Sequence, residues 1–154
     1  MYEGYGPGGI AVIVQVLTDN KNRSAAEVRH AFSSGGGNLA ENGAVSWMFE
    51  KLGVIRVPQT KTVTEDWLFE KLIECDINDI TSDDALITIT CPLKALETVK
   101  QALIEAGATV ESAEVEWVAK DSLSLDGAAE EKAIEFLSTV EDLDDVQNVY
   151  SNIG

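Results

Sequence analysis

Few residues in this chain carry reactive chemistry, and their spacing limits what they can do. The single histidine, His30, follows Glu27 by three residues, which puts both on the polar face of an expected helix. A Ser-His-Asp arrangement would have to recruit that imidazole, and its outward position reads better as a solvated helix residue. With one histidine and no Cys-x-x-Cys pair, a His- or Cys-based zinc site is excluded. Cys75 and Cys91 read as reduced, packing thiols. The carboxylate pairs Asp83-Asp84 and Asp144-Asp145 fall in expected turns, where Asp bonds its own backbone. The reading is of a non-enzyme with no metal and no cofactor.

Two glycine clusters invite comparison with phosphate cradles, which need glycine after a strand and before a helix. Gly4 to Gly9 precede an apolar run, and Gly35 to Gly37 follow an expected helix, so both have the opposite polarity. The first reads as a tight lead-in to a strand, and the second as a left-handed helix C-cap. By composition the best contact site is the turn Thr18 to Arg23, where Asp19, Asn20 and Asn22 accompany Lys21 and Arg23 between a strand and a helix. The alternative is that Asn22 or Asp19 only caps the helix. Arg29 lies about one and a half turns beyond Arg23 and faces another side. Lys21, Asn22, Arg23, Arg29 and His30 are the candidate contacts to nucleic acid or a partner. Trp47 and Phe49 would share one strand face and could stack bases, although core packing is the commoner use.

These residues need elements to position them. Ile10 to Leu17 reads as a buried strand, 22–34 as a helix, and 45–50 with 54–57 as a hairpin turning at Lys51-Leu52-Gly53. Helices are expected over 65–74, from Pro92 to Gly107, and over 127–140 with Ile134, Leu137 and Glu141 on one face. Strands are expected at 85–91, 110–118 and 146–150. The order β-α-β-β, an interruption, then α-β is ferredoxin-like. It predicts an α+β fold of two α/β lobes: 1–59 with 115–154 forming the ferredoxin-like lobe, and 60–114 an inserted smaller one.

Composition bounds the partners. The 154 residues, 45% hydrophobic, suffice for one good core or two small ones. The net charge is −16. Residues 1–57 are balanced, all the excess acid lies in 58–154, and every arginine lies at or before Arg56. A polyanion would meet only the first part, although acidic surface also serves solubility. No apolar stretch approaches the roughly 20 residues that cross a bilayer, and no signal-peptide layout opens the chain. No membrane partner and a cytoplasmic location are expected.

Several segments, in order, resemble the YebC/PmpR family: the loop Glu3-Gly4-Tyr5-Gly6-Pro7-Gly8-Gly9, the turn at 18–23, Ala26 to Phe32, the glycine run with Asn38-Leu39, Gly43-Ala44-Val45, and Asp144 to Tyr150. The resemblance implies two α/β lobes. It also implies a regulator of gene expression, acting on DNA as a transcription factor or on the ribosome as a translation factor, rather than an enzyme. In that family a basic helical domain precedes the glycine loop. Here Met1 stands just before the motif, so that domain is expected to be missing, and DNA or ribosome binding weakened with it. The other reading is an acidic module that contacts a basic protein partner without touching nucleic acid.

Overall fold

The computed structural model describes residues 1–153 and divides into two compact units, Met1–Glu50 with the residues from Trp117 onward, and Lys51–Glu116. The first unit opens with β1 (Tyr2–Tyr5) and β2 (Ala11–Val16), antiparallel across a 3-10 turn at Pro7–Gly9. Then come α1 (Lys21–Ser34) and β3 (Asn38–Ala40), and after the second unit α4 (Gly127–Glu141) and β8 (Val146–Ser151). The sheet order is β3-β1-β2-β8.

The glycine motif is therefore a central strand and a turn, which corrects its reading as a loop. Gly4 and Glu3 are poor strand formers and interrupt the strand signal of Tyr2 and Tyr5, so β1 reads weakly. Close approach explains the glycine: a Cβ on Gly4 would lie 2.5 Å from the Asn38 carbonyl oxygen and 2.8 Å from the Phe32 ring. The C-cap of α1 follows the glycine run as expected. Gly36 takes φ +86°, the Gly37 N–H donates to the Phe32 carbonyl at 2.7 Å, and the helix closes in a Schellman motif.

The second unit is built from the greater part of β4 (Phe49–Pro58), α2 (Glu65–Lys71), β5 (Asp79–Ser82), β6 (Leu86–Cys91), α3 (Leu96–Glu105) and the greater part of β7 (Ser112–Ala119), while Phe49, Glu50 and the residues from Trp117 count with the first unit. Its order, β5-β6-β4-β7, is that of a ferredoxin-like sheet, with the second, third, first and fourth strands side by side. The first unit repeats this arrangement with altered connectivity. If β2 is its first strand and β3 its second, the third place is filled by β1 from the start of the chain.

The expected hairpin at Lys51-Leu52-Gly53 does not form. Those residues lie inside β4, where Gly53 pairs with Cys91. A Cβ on Gly53 would stand 2.9 Å from Leu96 and 3.0 Å from the Cys91 sulfur, so glycine marks a tight crossing and not a turn. Residues 45–48 form a turn and a 3-10 segment, Ser46–Met48, in place of the first hairpin strand. Residues 51–59, which the sequence reading assigns to the first lobe and which hold most of β4, belong to the second unit.

Alternation along β2 gives the first unit two apolar faces. Ile10, Val12 and Val14 meet Val28, Ala31 and Phe32 of α1 and Ala133, Phe136 and Val140 of α4. Phe32 and Phe136 pack edge to face, 5.0 Å between centroids. The buried face of α4 is thus offset from Ile134, which is 50% exposed. Ala11 and Ile13 point the other way, to Val45, Phe49 and Trp117. In the second unit Ile55, Val57, Ile87 and Ile89 pack beneath Leu68, Leu72, Val99 and Leu103.

Candidate functional site

The start of α1 is where the sequence concentrates charged and polar donors, and its geometry is set by a residue far along the chain. The helix is capped by Asn20, whose Oδ1 accepts from the Arg23 N–H at 3.1 Å, so neither Asn22 nor Asp19 is the cap. Asp145, in the turn before β8, reaches this helix start. Its carboxylate accepts from the Ser24 hydroxyl at 2.6 Å, the Thr18 hydroxyl at 3.0 Å and the Arg23 guanidinium at 3.0 Å. Asp19 takes a further Arg23 bond at 3.1 Å. The Ser24 hydroxyl foremost, and then Arg23, hold the Asp145 carboxyl below the usual range; the hydrogen bond from Arg23 to Asp145 in turn raises the guanidinium pKa.

This arrangement answers the helix N-terminus with the protein's own anion. Arg23 spends its fork on the carboxylates of Asp145 and of the exposed Asp19, while Lys21, Asn22, Arg29 and His30 keep exposed side chains. Asp145 lies 122 residues from Arg23, and no local pattern announces such a pairing. In the second unit Arg56 makes a two-pronged pair with Glu116.

A second polar centre lies under the glycine motif. Glu3, only 1% exposed, sits in β1 opposite Ile13 on the sheet face that carries Val45 and Phe49. Its carboxylate accepts from the backbone N–H groups of Gly43 at 2.8 Å, Val45 at 3.2 Å and Ser46 at 2.8 Å. Burial pushes its pKa up, but the three N–H donors outweigh that and leave it lowered. Two of the sequence motifs, at 3–9 and 43–45, are thus one device: the first supplies the anion, the second the amides. Gly4, Gly6 and Pro7 are also buried, Gly4 against Phe32 and Gly6 against Phe136, whereas Tyr5, Gly8 and Gly9 are exposed.

The turn held by Glu3 presents Trp47 at 65% exposure, with its indole N–H donating to the Ala44 carbonyl at 2.9 Å. Trp47 and Phe49 therefore do not share a strand face, since the tryptophan lies in the 3-10 segment and only Phe49 is buried. Among the described residues no group of three or more His, Cys, Asp and Glu could hold a metal, and no helix is long and apolar enough to cross a membrane.

Residues 1–153 match the model for the second and third domains of TACO1/YebC. The chain is 44% identical over 153 residues to a probable transcriptional regulatory protein of Chlorobaculum tepidum, covering 99% of this chain and 61% of that one. It is 47% identical to a protein of the same description from Thermotoga maritima, again covering 99% of this chain and 60% of the relative. A crystal structure of a conserved hypothetical protein from Aquifex aeolicus, 41% identical, superposes with a TM-score of 0.91 over 99% of this chain and 63% of that one. The chain thus spans about 60% of the length of the curated relatives it matches.

Proposed function

The chain belongs to the TACO1/YebC family, and on that premise we propose that it is a cytoplasmic regulator of gene expression, not an enzyme, whose two units contact protein surfaces in place of duplex DNA. The relatives' description as probable transcriptional regulatory proteins supports the regulatory role. The use of the arginines supports the choice of partner. Arg23 is paired with Asp145 and Asp19, and Arg56 with Glu116, so two of the three arginines already have carboxylate partners within the chain.

Charge points the same way. The first unit holds five Lys and Arg against fourteen Asp and Glu, and the second six against thirteen. Phosphate contacts rest on free cations, and a surface of this sign repels a polyanion. The test is a titration of the chain against duplex DNA and against purified ribosomes over a salt series. Negligible DNA binding near physiological salt is expected; tight DNA binding that falls steeply with salt would overturn the proposal.

One observation favours a second reading, contact with ribosomal nucleic acid. Lys21, Arg29 and His30 lie exposed on α1. Ribosome binding that is lost at high salt and weakened by Lys21→Gln with Arg29→Gln would select it.

A further inference from the structure

Among the exposed large apolar side chains of this acidic molecule, two stand together on the second unit. Phe69, on α2, is 51% exposed, and Ile73, in the turn two residues past its end, is 82% exposed. Leu68 and Leu72, one position before each, are buried in the core, so α2 and the turn after it direct one set of apolar residues inward and Phe69 with Ile73 outward. Ile73 with Cys75 and Ile77, which are half-buried against the core in the segment before β5, bounds a groove of about 460 Å³ together with Phe69, Glu70 and Leu72.

The charges along this stretch have one sign. Asp66, Glu70, Glu74 and Asp76 are all exposed, and the one basic residue among them, Lys71, has its Nζ over the Trp67 ring, 5.7 Å from the centroid. An apolar groove with an acidic border is complementary to a helix that carries an apolar stripe flanked by Lys and Arg. The same border works against a second copy of this chain, which would bring like charges together, and against an anionic lipid surface.

We propose that the groove formed by Phe69, Ile73, Cys75 and Ile77 docks a basic amphipathic helix of a partner protein. The inference rests on the protein-contact reading and gives that contact a place and a chemistry. Phe69 and Ile73 fill the apolar stripe at helical spacing, and Glu70 and Glu74 meet the flanking cations.

The test follows the amide spectrum of the isotope-labelled chain while a synthetic helix with one leucine face and one lysine face is added. Expected shifts concentrate in residues 65–77. Ile73→Ser should weaken binding by about tenfold, as removal of a buried anchor does, while Ile134→Ser, at an exposed apolar position on α4, leaves it unchanged. Glu70→Gln with Glu74→Gln removes charge without touching the apolar face, and should weaken binding most at low salt.

Shifts spread evenly over both units, or equal weakening by Ile134→Ser, would overturn the proposal. Dimerisation abolished by Ile73→Ser would make the occupant a second copy and overturn it too. Tight duplex-DNA binding with peptide docking intact would remove the protein-contact reading but leave the groove. Absent docking with DNA still excluded would do the reverse.

Discussion

Replacing Glu3 by glutamine tests whether the glycine motif is held by its carboxylate. Glutamine keeps the length of the side chain but has one acceptor oxygen where Glu3 has two. With that oxygen turned to Val45 and Ser46, the amide nitrogen faces the Gly43 N–H, and two donors oppose each other. The two retained bonds lose their charge assistance, about 1 kcal/mol each, and the orphaned N–H costs about 1–3 kcal/mol. A neutral amide is cheaper to bury, which offsets part of this.

The net loss is about 3 kcal/mol, which corresponds to a fall of roughly 10–20 °C in the melting of the first unit. The same energy should speed amide exchange at Gly43, Val45 and Ser46 by about a hundredfold. Glu41→Gln, at an exposed neighbour, is the control and should stay within ~0.5 kcal/mol. Acid should act in the same direction. Since the folded pKa of Glu3 is lowered, its contribution is full above the unfolded carboxylate value of about 4.3 and is lost as pH falls through the folded value. Glu3→Gln should flatten that part of the acid profile. A melting point and exchange pattern equal to the parent's would refute the reasoning.

Three other outcomes follow from the geometry. Asn20→Ala should cost about 1 kcal/mol by chemical denaturation because it removes the helix cap, whereas Asn22→Ala, exposed in the first turn, should cost much less. Gly37→Ala should fail to fold stably, because a Cβ there overlaps the Tyr5 carbonyl; Gly36→Ala, strained only by its positive φ, should fold with a loss of about 1 kcal/mol measured by urea titration. Asp145→Asn should lower the melting temperature and remove its own share of the acid sensitivity below the usual carboxylate range, leaving that of Glu3, while Arg29→Gln leaves both unchanged.

Where periodicity is strong, the sequence reveals the element. The continuous apolar run at Ile10, the acids after Thr64 and the alternation from Leu86 to Cys91 each lead to the observed strand or helix. Glycine is where reading fails. The same residue type marks a turn at Gly8, a helix cap at Gly36, and close backbone or side-chain crossings at Gly4 and Gly53, and only the last two need a neighbour from elsewhere in the fold. For that reason the sequence reads as a loop at β1 and as a turn in the middle of β4. The site residues divide similarly. The positions of Lys21, Arg23 and Arg29 on a helix are local facts and legible; the occupation of Arg23 by Asp145 and the burial of Glu3 depend on contacts across 122 and about 40 residues.

The altered connectivity of the first unit has a consequence for the order in which the molecule forms. The β2–β8 ladder joins Ile13 to Tyr150, so this sheet waits for the end of the chain, while residues 51–116 hold all of their own unit in one stretch. Closing long loops before any contact rewards them slows folding. During synthesis the second unit should become protease-resistant while β2 still lacks β8 on its open edge, exposing the run Ile10 to Val14 until α4 and β8 are made. Pulse proteolysis of chains arrested near Glu116 measures that interval, and resistance of the amino-terminal segment at that length would contradict it.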